Sequence, residues 1–150
     1  MREKDIGTIG ELAFATEALK RGYRVSHPIG DNAEYDALVE AGDRVFRVQV
    51  KTASVPCEGE QFGFFVRRGT HKTAYSQVDI FACYLVPHQL FFLLPRTAVG
   101  SRTNIKLTAT PRQSIWSGYR ENWGVFEAEK TPCLEVGYVD QQARQKTSKK

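Results

Sequence analysis

Residues 35–53 read YDALVEAGDRVFRVQVKTA, and this stretch decides how the rest of the chain is interpreted. Two runs that are rich in strand-forming residues flank the pair Gly42 and Asp43, which predicts a β-hairpin with these two residues as its loop. Ala41 then pairs with Arg44, and the register of the whole hairpin follows by counting outward. The order Gly-Asp leaves the turn type open.

This register brings polar side chains together at one end of the hairpin. Counting outward from the loop places Asp36 opposite Gln49, with Lys51 as the diagonal neighbour of Asp36. Side chains alternate between the two faces of a strand, so the second strand has one polar and one apolar face. The polar face carries Arg47, Gln49 and Lys51, and the apolar face carries Phe46, Val48 and Val50. The sequence therefore predicts a polar cluster over an apolar layer.

An amphipathic helix is predicted for residues 4–21, with Gly22 as its C-terminal cap. Its apolar residues recur at spacings of three and four, as on one helix face, at Ile6, Ile9, Leu12, Ala13, Thr16 and Leu19. Gly7 and Gly10 are unusual, because glycine costs up to about 1 kcal/mol relative to alanine in a helix interior. We interpret these glycines as positions where a large group approaches the backbone.

Shorter sequence patterns predict the remaining strands and loops. Residues 23–28, YRVSHP, predict a short strand. Residues 58–75 alternate glycine, aromatic and basic residues, which suggests a second hairpin or a long loop that reaches outward. The runs VDIFACYLV at 78–86 and LFFLLP at 90–95 are almost wholly apolar, as strands buried on both faces are, and we expect them to form the core.

Length and composition fit one globular domain. Of the 150 residues, 41% are hydrophobic and 25% charged, ordinary values that argue against a disordered chain. We expect one domain over residues 1–140 and a basic, flexible tail over residues 141–150. There is no apolar run of the roughly 20 residues that a membrane helix needs, no secretory segment, and no close cysteine pair. These features predict a cytoplasmic protein with reduced cysteines and no membrane partner.

The polar cluster has the chemistry of metal-assisted phosphodiester hydrolysis. That reaction needs oxygen ligands that hold a hard divalent ion against a phosphate, and a cation that orients the attacking water or stabilises the developing charge. Asp36 supplies a carboxylate, Gln49 an amide oxygen and Lys51 an ammonium group. The backbone carbonyl of Val50 and a water-mediated contact from Glu11 would complete the set. These ligands favour Mg²⁺, with Mn²⁺ as a substitute.

At these residues the chain resembles the PD-(D/E)XK nuclease superfamily, over roughly its first 95 residues. The motifs that carry the resemblance are, in chain order, Gly10-Glu11, Gly22-Tyr23, Tyr35-Asp36, QVKT at 49–52, and Val78-Asp79. Within the superfamily, the chain is most similar to small homing endonucleases encoded by group I introns, and next to archaeal Holliday-junction resolvases. The resemblance implies an α/β (α+β) fold with a restriction endonuclease-like core. In that core a mixed central sheet is flanked by helices, and a β-hairpin or loop protrudes for DNA contact.

The resemblance also implies roles for individual residues. Asp36 is the central metal ligand, Lys51 positions the attacking water, and Glu11 supports a metal from the helix. Gln49 departs from the family pattern, which has Asp or Glu at that position, and it lowers the negative charge of the site by one unit. A unit charge about 4 Å away is worth about 4 kcal/mol at an effective dielectric of 20. The ion affinity or the number of bound ions therefore depends on this glutamine.

Two stretches are candidates for contact with double-stranded DNA, because base reading requires side chains that reach a groove. The first is the basic hairpin expected over residues 61–72, and the second is the segment over residues 96–112. The predicted contacts are Gln61, Arg67, Arg68, His71 and Lys72 in the first stretch, and Arg102, Asn104 and Lys106 in the second. Gly7 and Gly10 add a place of close approach on the helix.

Cutting both strands of a duplex requires two copies of a site that cuts one strand. We therefore expect a homo-oligomer, a dimer or a dimer of dimers, that acts on a pseudo-palindromic target. Two alternatives are a junction resolvase that prefers branched substrates, and a DNA-binding protein on a nuclease scaffold that has lost its chemistry. A metabolic enzyme is disfavoured, because no glycine-rich loop of the GxxxxGK[ST] or GxGxxG type is present.

Overall fold

A five-stranded sheet organises the chain in the computed structural model, which describes residues 1–127. The helices are α1 (Glu3–Lys20) and α2 (Arg96–Val99). The strands are β1 (Arg24–Ser26), β2 (Ala37–Ala41), β3 (Arg44–Ala53), β4 (Gln61–Phe65), β5 (Arg67–Arg68), β6 (Thr73–Ala74), β7 (Ile80–Leu85), β8 (Leu90–Pro95) and β9 (Asn104–Thr108). Single 3₁₀ turns follow at Val86–His88, Ser117–Tyr119 and Trp123–Phe126. The predicted domain end at residue 140 and the tail at 141–150 lie outside the described residues.

The central sheet is mixed, as the sequence predicts. Its strand order is β1-β2-β3-β7-β8, in which β3 and β7 are parallel and the other neighbours antiparallel. Parallel strands need a crossover connection, and here β4, β5 and β6 lie within it. Among the described residues, no helix is long and apolar enough to span a membrane.

The register predicted for the first hairpin is confirmed. Ala41 pairs with Arg44, and the ladder of β2 and β3 runs to the pair Ala37 and Val48. Gly42 in the loop has a φ of +65°, a left-handed conformation that glycine adopts at low cost. Asp36 comes directly before the first residue of β2, and its N–H donates to the carbonyl of Val48 at 2.8 Å. The count that places Asp36 beside Gln49 therefore holds.

Helix α1 forms as predicted but turns a different face to the sheet. Gly10, Phe14 and Ala18 are its buried residues, spaced four apart, whereas Leu12 and Leu19 are 63% and 59% exposed. Leu12 and Leu19, which the sequence pattern places on the apolar face of the helix, therefore lie outside the core. The reason is the close packing of α1 on β3, because Gly10 lies against Thr52 without a side chain to hold the helix away, and the large Phe14 is buried in the core on the same side.

The two faces of the sheet bury two separate cores. On the α1 side the core includes Phe14, Val48, Phe91, Trp123 and Phe126. On the other side the inner faces of β4 and β9 contribute Phe62, Phe64, Ile105 and Leu107, together with Trp116. All six residues of β7 and the first five of β8 are buried, which confirms that these two runs are core strands.

The second hairpin predicted around residues 61–72 is wrong in its pairing. Gln61 and its neighbours in β4 pair with β9, which belongs to the second predicted DNA-contacting stretch. Only β5 and β6 form a local hairpin, around Gly69. The two stretches that the sequence treats as separate therefore meet in one two-stranded ribbon, β4–β9.

Candidate active site

Asp36 lies directly before the first residue of β2, beside the part of β3 that extends beyond the hairpin. Because β2 begins opposite Val48, the N–H of Val50 has no strand partner on that edge, and it donates instead to the Oδ2 of Asp36 at 2.8 Å. The N–H and C=O of one strand residue point to the same edge, so the carbonyl of Val50 is also directed toward Asp36. The hairpin register thus brings a carboxylate and a backbone carbonyl together, as the sequence predicts.

The charges of Glu11, Lys51 and His27 all affect the pKa of Asp36. Burial raises its pKa most, the charge of Glu11 raises it further, and the Val50 N–H, Lys51 and His27 lower it, which leaves it at about 6. Ionising this half-buried carboxyl beside a second carboxylate costs free energy, which a bound cation would offset.

Lys51 projects on the side of the sheet that β4 and β9 cover. It lies beside Cys83 of β7, whereas Gln49 lies beside Phe81, and both neighbours belong to that core. The Nζ of Lys51 donates to the hydroxyl of Tyr75 at 2.8 Å and lies 5.0 Å from the centre of the Tyr75 ring. This contact of Tyr75 was not predicted, because nothing in the local sequence pattern indicates that the chain at residue 75 comes back alongside β3.

A cleft of about 350 Å³ opens between the start of α1 and β3. Gln49, Val50, Lys51 and Gly7 are among the residues that line it. A Cβ at Gly7 would meet nothing within 4 Å, so the backbone there is open to an approaching molecule. Gly10 is different, because a Cβ at that position would lie 1.8 Å from the Oγ1 of Thr52. The structure assigns Gly10 to helix packing instead of the predicted DNA contact.

His27, directly after β1, supports the segment that carries Asp36. Its Nδ1 lies 2.9 Å from the backbone carbonyl of Asp36, which can only accept, so the proton is on Nδ1 and Nε2 is left for other partners. The sequence indicates no role for His27, because no second histidine or cysteine stands at a metal-binding spacing from it.

The residues at this site fit a hard divalent cation. Within residues 1–127 no three His, Cys, Asp or Glu side chains gather as a metal site, and the oxygen groups near Asp36 are of mixed type. Asp36 and Glu11 offer carboxylates, Val50 a carbonyl, and Gln49 an amide. Mg²⁺ is typically bound by one or two carboxylates and completes its shell with water and substrate phosphate.

Glu34 fastens the segment before Asp36 to the β5–β6 hairpin. Its carboxylate accepts from the Gln77 N–H at 2.6 Å, from the Ser76 N–H and hydroxyl at 3.1 Å each, and from Arg68 at 2.8 Å. Burial raises the pKa of Glu34, but the bonds from Gln77 and Ser76 and the charge of Arg68 lower it more, so the pKa lies below its ordinary value.

The predicted DNA-contacting side chains lie on and beside the β4–β9 ribbon. The outer face of the ribbon carries Gln61, Gly63 and Phe65 of β4, and Asn104, Lys106 and Thr108 of β9. Arg67 is the first residue of β5, and His71 and Lys72 lie exposed in the β5–β6 turn. Phe65, 64% exposed, was not among the predicted contacts.

Several of these cations already have partners within the chain. Arg68 pairs with Glu34, and Lys106 pairs with Glu58. Arg67 donates to the carbonyls of Lys72 and Ser101, which are neutral acceptors, so these two bonds do not neutralise its charge. Arg102 lies over the ring of Trp116, 5.0 Å from its centre, and donates to the Val99 carbonyl.

Asp79 anchors the start of β7. Its carboxylate accepts from the N–H and the guanidinium of Arg47 at 2.8–3.2 Å, and its own N–H donates to the Arg47 carbonyl at 2.8 Å. These contacts fix β7 against β3 in register.

The chain belongs to the PD-(D/E)XK endonuclease family, whose sequence model matches residues 1–125. Its fold is similar to that of the bacterial homing endonuclease I-Ssp6803I, with a TM-score of 0.72 and 24% identity over 98% of this chain and 99% of that chain. It is also similar to Hjc, a Holliday junction resolvase from the archaeal hyperthermophile Archaeoglobus fulgidus, with a TM-score of 0.50 and 16% identity over 83% of this chain and 98% of that chain. No curated protein sequence matches the chain. The family and the restriction endonuclease-like fold predicted from the sequence are confirmed.

Proposed function

We propose that the chain is a site-specific homing endonuclease, which hydrolyses phosphodiester bonds of double-stranded DNA with Mg²⁺. The observation that carries this proposal is the gathering of Asp36, Val50 and Lys51 at one end of the β2–β3 hairpin, with Glu11 close enough to raise the pKa of Asp36. Hard oxygen ligands beside an ammonium group are what the reaction requires. The likeness to a homing endonuclease over nearly the whole of both chains supports the homing assignment.

Each side chain of the site has a distinct task in this proposal. Asp36 and the Val50 carbonyl would hold the cation, Glu11 would support it from α1, and the Gln49 amide would offer a further oxygen. A divalent cation, when bound, polarises the scissile phosphate and lowers the pKa of the attacking water. Lys51 has three N–H donors, of which one is directed to Tyr75, so two can orient the water or contact a phosphate oxygen.

The β4–β9 ribbon is the proposed reader of the DNA sequence. A two-stranded β-ribbon fits the major groove, and the outer face of this one presents amide groups at Gln61 and Asn104. Phe65 pairs with Asn104 across the ribbon and offers an apolar contact of the kind that thymine methyl groups accept. Arg67 supplies positive charge for contact with the DNA phosphates. Gly7, which has no side chain, leaves room for the DNA backbone to enter the cleft that Lys51 also lines.

A homo-oligomer is part of this proposal. One copy of the Asp36 site cuts one strand, so two copies related by a two-fold axis would cut both strands of a pseudo-palindromic target.

The proposal is tested by incubating the protein with plasmids that carry a randomised insert, with Mg²⁺ and with chelator, and sequencing the ends that form. We expect metal-dependent ends at one insert sequence, which gives the target and the overhang together. Ends at no preferred sequence, or ends that persist in chelator, would contradict it.

A competition between a four-way junction and linear duplex separates homing from junction resolution. We expect the linear duplex that carries the selected target to be cut first. Preferential cutting of the junction, whatever its sequence, would instead identify a resolvase. Salt-sensitive DNA binding without cleavage of either substrate would identify a DNA-binding protein on a nuclease scaffold.

A further inference from the structure

The contact between Tyr75 and Lys51 joins two elements that are distant along the chain. Lys51 lies on β3 of the central sheet, whereas Tyr75 directly follows β6 of the small hairpin. We propose that Tyr75 is a positioning residue, which holds the Lys51 ammonium near Asp36 through its hydroxyl and its ring. This inference rests on the proposed nuclease function and assigns the support of its lysine.

Lys51 needs such support because of its own side chain. A lysine carries its charge on a flexible stem of four carbons, so the ammonium samples many positions unless a partner holds it. The Tyr75 hydroxyl accepts from Nζ at 2.8 Å, and the ring centre lies 5.0 Å from the same nitrogen. One donor is thereby fixed, and the direction of the other two follows.

Tyr75 is itself held firmly enough to act as a support. The residue is 9% exposed, and its ring meets Phe81 edge-on, with ring centres 5.4 Å apart. The two residues that follow, Ser76 and Gln77, are bound through their N–H groups to Glu34. Because Glu34 stands two residues before Asp36, the same clamp ties the Tyr75 segment to the segment that carries the metal-binding carboxylate.

Packing alone could explain a buried tyrosine, and Tyr75→Phe separates packing from positioning. This variant keeps the ring, its contact with Phe81 and its place near Lys51, and it removes only the hydroxyl that accepts the hydrogen bond. Tyr84→Phe is the matched control, because Tyr84 is 7% exposed and stacks on Phe91 in the opposite core, away from Lys51.

The test compares the full-length wild type and both variants in three measurements: single-turnover cleavage at saturating enzyme, DNA affinity, and thermal unfolding. We expect Tyr75→Phe to cleave about tenfold more slowly with unchanged affinity and melting temperature, because a small misplacement of a catalytic group costs rate and not binding. Tyr84→Phe should cleave as the wild type does. A Tyr75→Phe variant that cleaves at the wild-type rate would overturn the proposal.

A further measurement is independent of DNA cleavage. Brief acetylation of the free protein, followed by mass spectrometry, reports how accessible each lysine amine is. In Tyr75→Phe we expect Lys51 to be acetylated several-fold faster than in wild type, with the exposed Lys20 unchanged as an internal reference. Equal acetylation of Lys51 in both proteins would overturn the proposal even if no DNA substrate is cut, whereas the nuclease assignment is decided by the cleavage assays alone.

Discussion

Replacing Gly10 with alanine should destabilise the protein, although alanine is the better helix former. A Cβ at this position would lie 1.8 Å from the Oγ1 of Thr52 and 3.0 Å from its Cβ, so helix and strand must move apart. Overpacking of a buried site costs about 1–3 kcal/mol, whereas the exchange of glycine for alanine in a helix gains up to about 1 kcal/mol. We expect a net loss of about 1–2 kcal/mol, or a melting temperature lower by about 3–6 °C.

The same substitution at Gly7 provides the matched control. Gly7 lies one turn earlier in α1, and a Cβ there would meet nothing within 4 Å. Only the helix propensity changes, so Gly7→Ala should raise the free energy of unfolding by up to about 1 kcal/mol. Urea unfolding of both variants, followed by tryptophan fluorescence, should therefore give changes of opposite sign.

A double-mutant cycle with Thr52→Ala tests the assigned cause. The Thr52 Oγ1 is buried and has no hydrogen-bond partner among the described residues, so its removal alone should cost little. In the Thr52→Ala background, Gly10→Ala should cost at least about 1 kcal/mol less than in wild type. The reasoning is refuted if Gly10→Ala does not destabilise, or if its cost is the same in both backgrounds.

Three further predictions concern a pH dependence, the metal and the DNA. Because the folded-state pKa of Glu34 is lowered, the ionised carboxylate stabilises the fold at neutral pH, and this stabilisation is lost as the pH falls through that pKa. Glu34→Gln should therefore lower the free energy of unfolding in urea by about 1–3 kcal/mol at pH 7 and by progressively less below the ordinary pKa of 4.5. Gln49→Glu should lower the Mg²⁺ concentration for half-maximal cleavage by about tenfold or more, since it restores a unit of negative charge beside the cation; an unchanged Mg²⁺ titration would contradict this. Arg67→Ala should reduce the slope of log K for DNA binding against log salt concentration by about one unit. Arg68→Ala removes a cation already paired with Glu34 and should change this slope less. Equal slopes for the two variants would contradict the assignment of Arg67 to a phosphate.

The part of the fold that the sequence predicts is the part governed by local rules. A two-residue loop at Gly42 and Asp43 pins the register of its hairpin, and the strand period of two then places Asp36 near Val50 and Lys51. The apolar runs of β7 and β8 are equally direct, since only strands covered on both faces are apolar throughout.

Contacts between segments that are distant along the chain could not be predicted from the sequence. The pairing of β4 with β9 joins strands separated by four others, so no local period reveals it. The buried face of α1 was misassigned because hydrophobicity favours Leu12 and Leu19, whereas close packing against Thr52 requires the small Gly10. Tyr75 reaches Lys51 only because of the path that the chain takes after β6.

Single-turnover cleavage of the selected DNA by Asp36→Ala and Lys51→Ala, with Mg²⁺ present, tests the central claim most directly. Asp43→Ala, at the opposite end of the same hairpin, is the control for a lost carboxylate, and thermal unfolding and DNA affinity show that each variant is folded. We expect Asp36→Ala and Lys51→Ala to bind DNA but not to cut it, whereas Asp43→Ala should cut normally. Cleavage at the wild-type rate by Asp36→Ala or Lys51→Ala would contradict it.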